Sequence, residues 1–200
     1  FFLTISIQGI PVADKYALII SARVHPGESN SSWMMLGLMQ QLIDLDPDAQ
    51  ELRKRFLICL VPMLNPDGVI LGNYRCQNSH HRYSKFLLYG KRLMFDELHS
   101  VYESDTFIFG VATPDIYNVP ESFSLPSCRF SIHPSKEATG RVVFWREFNL
   151  THSFTLEATF NGSRKMRDTL KHFDVNDFAL IGRRLGSTLL ILRNILADPK

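Results

Sequence analysis

Tyr16–Val24 (YALIISARV), followed at once by His25-Pro26-Gly27-Glu28-Ser29-Asn30 and then by Ser31-Ser32-Trp33-Met34-Met35-Leu36, decides the fold. The first part is a continuous apolar run of strand length, the pattern of a strand buried on both faces. Proline and glycine end it at the His25–Glu28 turn. From Ser31 the pattern becomes helical, through Trp33, Leu36, Gly37, Met39, Gln40 and Ile43, with serine and asparagine at its start as caps.

The same alternation repeats downstream. Pro47–Arg55 reads as a polar connection with a short helical stretch, and Phe56–Met63 (FLICLVPM) as a second buried strand. Asn65-Pro66-Asp67-Gly68 has the composition of a turn. Strand, helix and strand with continuous apolar runs predict an α/β fold with a parallel sheet and helices on both faces. Upstream, Phe1–Ile7 reads as a strand and Pro11–Lys15 as a turn. Downstream, Gln77–Leu125 is irregular, with one apolar run at Phe86–Tyr89. Phe130–Ile132 and Arg141–Arg146 are predicted to pair around Pro134–Gly140, Ser153–Phe160 (SFTLEATF) to form a strand, and Asp177–Leu196 to form a closing amphipathic helix.

The chain has 200 residues, 45% of them hydrophobic, enough for one sizeable core, so residues 1–200 read as a single domain. It opens inside a strand-like run without a starting Met, which reads as a fragment of something longer. A net charge of +2 with no long run of one sign gives no reason to expect nucleic acid, though a local basic pocket for an acidic substrate is compatible with it. The apolar stretches are too short to span a bilayer. Three cysteines, Cys59, Cys76 and Cys128, make a poor disulfide framework and a poor zinc-thiolate site, and they fit a reducing compartment.

Ligands gather at the C-terminal ends of strands in such sheets, and both His25 and Asn65 fall there. A His and a Glu three residues apart in a tight turn can reach one metal ion. Catalytic zinc takes three protein ligands of this N/O type and keeps a position for water. The spacing also fits a solvated loop histidine beside a helix-capping glutamate. Glu157, in Thr155-Leu156-Glu157-Ala158-Thr159, stands in an apolar stretch where a carboxylate is unfavourable unless paired. Near a metal-bound water it can serve as general base and then general acid; on an edge strand it simply faces water. Arg75, in Gly72-Asn73-Tyr74-Arg75-Cys76, can polarise a carbonyl and stabilise an oxyanion, or be an ordinary surface arginine.

Four stretches, SARVHPGESNSSWMM, VPMLNPDGV, GNYRC and RVVFWREF…SFTLEAT, resemble in that order the cytosolic carboxypeptidase branch of the zinc metallocarboxypeptidases. The likeness is dense over Leu18–Cys76 and Cys128–Phe160. It implies a three-layer α/β fold, incomplete here, with a mixed, mostly parallel twisted sheet and helices on both faces, and one Zn²⁺ per chain, with His25 and Glu28 as the first two ligands. It implies Glu157 as the catalytic carboxylate, Arg75 as the group polarising the substrate carbonyl, and Arg141 or Arg146 as the basic group selecting an acidic side chain. It also implies cytoplasmic, microtubule- or cilium-associated deglutamylation of protein tails, with polyglutamylated tubulin as partner.

The family's third ligand is a histidine after the GN-RC motif. Cytosolic members carry a DxHGHS-like segment there, which would align Asn78 and His80; His81-Arg82-Tyr83-Ser84 ahead of an apolar run resembles instead the HSYS-type segment of secreted relatives. His81 is the favoured ligand and His80 the alternative. Adjacent histidines on a strand point to opposite faces, so one at most reaches the metal. The family also places tens of residues before this ligand, including an Asn-Arg pair that clamps the substrate's terminal carboxylate. Here the histidines follow Cys76 almost at once, no Asn-Arg dipeptide intervenes, and the family's mobile tyrosine has only Tyr83, Tyr102 and Tyr117 as candidates. This reads as an internal deletion after Cys76, a mis-spliced gene or omitted residues. Two other readings remain open: a catalytically impaired domain that binds acidic protein tails, and a zinc amidohydrolase, which shares HxxE and a later histidine.

Overall fold

The computed structural model describes residues 2–75, 93–97, 131–134, 137–148, 153–163 and 171–197. Its centre is a five-stranded sheet in which β1 (Leu3–Ile5), β3 (Phe56–Val61), β2 (Tyr16–Ser21), β4 (Leu93–Glu97) and β5 (Ser153–Phe154) lie in that order. β1 runs antiparallel to β3; every other neighbouring pair is parallel. The sheet is therefore mixed and mostly parallel, within an α/β fold: the apolar runs predict the parallel pairs, and the family resemblance the mixed sheet.

Register explains where the site must be. Ser21 pairs with Val61 on one side and Glu97 on the other, and Asp96 pairs with Phe154. The C-terminal ends of β2, β3, β4 and β5 are thus level along one rim. His25, Asn65 and Glu157 each follow one of these ends within a few residues. Parallel strands deliver the chain to this rim, and the loops that leave it are where such sheets gather functional side chains.

α1 (Asn30–Ile43), α2 (Pro47–Arg55) and α5 (Val175–Ala197) supply the helical side of the core. Leu18 and Ile20 of β2 and Phe56, Ile58 and Leu60 of β3 pack there against Met34, Met35, Leu38 and Leu42 of α1, Leu52 of α2, and Phe178, Leu185 and Leu189 of α5. The periodic positions named from the sequence divide. Gly37 meets α5, but Trp33, Leu36 and Ile43 are exposed, and the intervening methionines and leucines fill the core. β3 also alternates rather than being buried throughout, since Leu57, Cys59 and Val61 are half-buried.

α2 is a complete helix rather than a connection containing one. Its Asp46 cap accepts a hydrogen bond from the Ala49 amide at 2.7 Å, Pro47 occupies the first turn, and Arg53, Lys54 and Arg55 sit at the negative end of the helix dipole. Asp46→Ala should lower stability by about 1 kcal/mol, a fall of roughly 2–4 °C in a thermal melt. An unchanged midpoint would mean the cap contributes nothing.

Three predicted elements differ in the structure. Asn65–Gly68 is not a free turn but the start of a short helix, α3 (Pro66–Ile70), with the Asn65 side chain accepting from the Gly68 amide. Asn, Pro and Asp signal turns and helix starts alike, so composition could not separate them. Arg141–Arg146 is not half of a hairpin. It lies in α4 (Gly140–Phe148), where the rings of Phe144 and Phe148 meet one turn apart at 5.9 Å. The β-propensity of Val142, Val143 and Phe144 is overridden by burial of Val142 and Phe144. Ser153–Phe160 stays in the sheet only at β5; the chain then leaves it. Strands β6 (Gly162–Ser163) and β7 (Lys171–His172) pair separately, and α5 closes the domain, close to its predicted bounds.

Candidate metal and catalytic site

Beyond β2 the backbone takes an unusual step. Arg23 has φ of 60°, a left-handed conformation that strains any residue with a side chain. It is held on both sides. Ala22 and Arg23 accept hydrogen bonds from the Leu64 and Asn65 amides, and the Arg23 amide donates to Ser31 Oγ. The Arg23 guanidinium donates to the Pro26 carbonyl at 2.9 Å and to Ser32 Oγ at 3.1 Å. This residue turns the chain over so that His25 and Glu28 close a tight turn, with the Glu28 amide donating to the His25 carbonyl at 3.1 Å.

The turn is seated by two other segments. Gly27 donates to the Tyr74 carbonyl at 3.0 Å, and a Cβ at Gly27 would fall 2.8 Å from Tyr74 Cα. A Cβ at Gly68 would meet Pro26 Cγ at 2.5 Å. The motif fragments containing His25, Asn65 and Arg75, far apart in sequence, are therefore in direct contact.

Arg75 follows from that contact. Its Nη2 lies 3.4 Å from Glu28 Oε1, with the Arg75 side chain mostly exposed and that of Glu28 only 17% exposed. His25 is half-buried, and its Nδ1 is buried. Glu157 lies in the segment after β5, not in the middle of a strand. It is exposed, while its neighbours Leu156 and Ala158 pack against the core. Alternation thus turns the carboxylate away from the interior.

The donor set agrees with a catalytic zinc as far as it goes. An imidazole and a carboxylate on one turn are two of the three N/O ligands such a site uses. Among the described residues no third ligand completes it. His80 and His81, together with Asn78, Tyr83, Tyr102 and Tyr117, lie outside the described residues. Cys59 offers no substitute, since burial pushes its thiol up, away from the thiolate that binds metal.

The two arginines of α4 differ. The Arg141 side chain lies outside what the structure describes. Arg146 holds Glu137 through two hydrogen bonds, at 3.1 and 3.3 Å, and its guanidinium keeps that exposed carboxyl below the usual carboxylate range. It is engaged at the surface with Glu137.

Sequence reasoning missed Arg23 and misread Asn30. The signal for Arg23 was only its place between strand and turn. Asn30 looked like a cap, whereas Ser29 occupies the cap position without a side-chain bond and Asn30 reaches elsewhere.

A family model described as zinc carboxypeptidase matches residues 3–91. Cytosolic carboxypeptidase 2 of Mus musculus is 37% identical over 219 residues, covering 89% of this chain and 25% of that protein. Cytosolic carboxypeptidase 3 of Bos taurus is 37% identical over 213 residues, covering 87% and 21%. The chain thus spans about a quarter of the length of the curated relatives it matches. The first of these alignments is longer than the part of the chain it takes in, so that relative has dozens of positions within the matched span that this chain lacks. In architecture, a metallo-carboxypeptidase from Burkholderia cenocepacia superposes with a TM-score of 0.71 at 20% identity, over 98% of this chain and 61% of that one.

Proposed function

Because the chain belongs to the zinc carboxypeptidase family, we propose that it is the core of a zinc-dependent metallocarboxypeptidase that removes C-terminal or side-chain glutamates from acidic protein tails, tubulin's among them. The observation that carries this reading is the contact of the His25–Glu28 turn with the segment of Arg75, on the same rim of the sheet from which Glu157 emerges.

His25 and Glu28 would hold the zinc, with His81, or alternatively His80, as third ligand. Bound there, the metal supplies a Lewis acid for the scissile carbonyl and acidifies a water. Glu157 takes the proton from the attacking water and passes it to the leaving amine. Arg75 donates to the oxygen on which negative charge develops, which requires it to leave Glu28 or share itself with it. Arg141 is the better candidate for the group that selects an acidic side chain, since Arg146 already holds Glu137. The proposed setting is the cytoplasm, after the relatives' names.

A second reading, a binder of acidic tails without hydrolysis, is favoured by one specific observation. The sequence between Cys76 and Leu125 has no Asn-Arg pair to clamp a terminal carboxylate, and positioning depends on such a clamp. One experiment separates the two. The purified chain is assayed for zinc and for release of free glutamate from a peptide ending in glutamates. Release with about one zinc per chain supports the enzyme. Zinc and peptide binding without release supports the binder, and absence of stoichiometric zinc removes the enzyme. His25→Ala should leave the chain without stoichiometric metal, and retention of full zinc would exclude His25 as a ligand.

A further inference from the structure

We propose that Asn30 is a positioning residue: its carboxamide ties the segment carrying Glu157 to the turn carrying His25 and Glu28. The inference rests on the hydrolase reading for its functional half and on geometry alone for its structural half.

Asn30 is buried at the first turn of α1 and uses both ends of its side chain. Nδ2 donates to the Ala158 carbonyl at 2.6 Å, across 128 residues of sequence. Oδ1 accepts from the Ser31 amide at 3.0 Å. A backbone carbonyl can only accept and a backbone amide can only donate, so the two partners fix which way the carboxamide faces.

The connection continues to the ligand turn. Ser31 Oγ donates to the Glu28 carbonyl at 2.8 Å and accepts from the Arg23 amide at 3.2 Å. An unbroken chain of hydrogen bonds therefore runs from the residue after Glu157, through Asn30 and Ser31, to Glu28 and to the strained Arg23. Next to Glu157 this is a polar anchor; Leu156 and Ala158 supply an apolar one. The Ala158 carbonyl belongs to no strand ladder, because β5 ends at Phe154. Without Asn30, a partly buried bond of this segment has no replacement in the sheet. A displacement of about 1 Å at a catalytic group is enough to slow a reaction roughly a hundredfold.

The test compares wild type with Asn30→Ala and with Asn30→Asp, which keeps the acceptor toward Ser31 and removes the donor toward Ala158. Hydrogen exchange is followed at residues 155–161 and at β3, alongside kcat, KM and zinc content. Expected are faster exchange at 155–161 with β3 unchanged, kcat lowered about ten- to a hundredfold, and KM and zinc unchanged. Unchanged exchange at 155–161 in both variants overturns the proposal. So does faster exchange in an active enzyme with kcat unaffected, or a loss that falls on KM or zinc instead. If Asn30→Ala does not fold, Asn30→Asp is read by the same criteria. If the wild type releases no glutamate while exchange responds as expected, the tether stands and the hydrolase reading falls.

Discussion

Glu157→Gln lowers release of C-terminal glutamate from an acidic peptide by a factor of about 10²–10⁴, the usual range for removing a general base, while zinc stays near one per chain. The expectation follows from where the side chain is and from what surrounds it. Leu156 and Ala158 pack against the core, Asn30 holds the Ala158 carbonyl, and Glu157 is exposed on the rim where the His25–Glu28 turn also lies. Glutamine has the same shape and disturbs none of these anchors. What changes is the ability to accept a proton from water, so the loss should fall on kcat with the fold and the metal intact. Undiminished release in this variant would remove Glu157 from its role. Loss of zinc along with activity would make it a ligand or a structural residue instead.

The rim was legible in the sequence because it rests on strong local signals. YALIISARV and FLICLV are apolar runs of strand length, and each is followed by residues that end strands. The His25–Glu28 turn and Asn65 therefore had to fall at matching strand ends once the sheet was parallel. What was not legible depends on contacts between distant segments. Gly27 and Gly68 carry no side chain, and their part in seating the turn appears only when Tyr74 and Pro26 are found where a Cβ would go. Asn30 has the composition of a cap, and only the fold brings Ala158 within its reach. RVVFWREF has strand propensity and becomes a helix because burial of Val142 and Phe144 outweighs it. The strand predicted through Phe160 ends at Phe154, and beyond it Asn30, not a neighbouring strand, takes the Ala158 carbonyl. Propensity is a local quantity, and in each of these cases a non-local contact prevailed.

The largest expected effect on stability lies where α1 and α5 cross. Gly182 is placed so that a Cβ would fall 1.8 Å from the Met34 carbonyl oxygen, and a Cβ at Gly37 would fall 1.8 Å from that of Ala179. At both positions the obstacle is backbone, which cannot rotate aside as a side chain does. Gly182→Ala therefore pushes the helices apart and strips contacts from Met34, Leu38, Leu185 and Leu189 together. Overpacking of this kind destabilises by about 1–3 kcal/mol, and in a chain of this size each kcal/mol lowers the melting midpoint by roughly 2–4 °C. Gly186→Ala provides the contrast. Its nearest obstacle is the Gln41 side-chain oxygen, at 2.2 Å, which can move at the expense of the bond from Gln41 to Ser187. The smaller loss is expected there, and thermal or urea unfolding of the two variants gives the order. Gly186→Ala proving the more damaging would mean that the polar contact of Gln41, not close approach of the backbones, holds the pair together. The consequence reaches function as well. α1 begins at Asn30, so a helix moved off α5 carries the tether with it, and Gly182→Ala should slow hydrolysis even at temperatures where the chain remains folded.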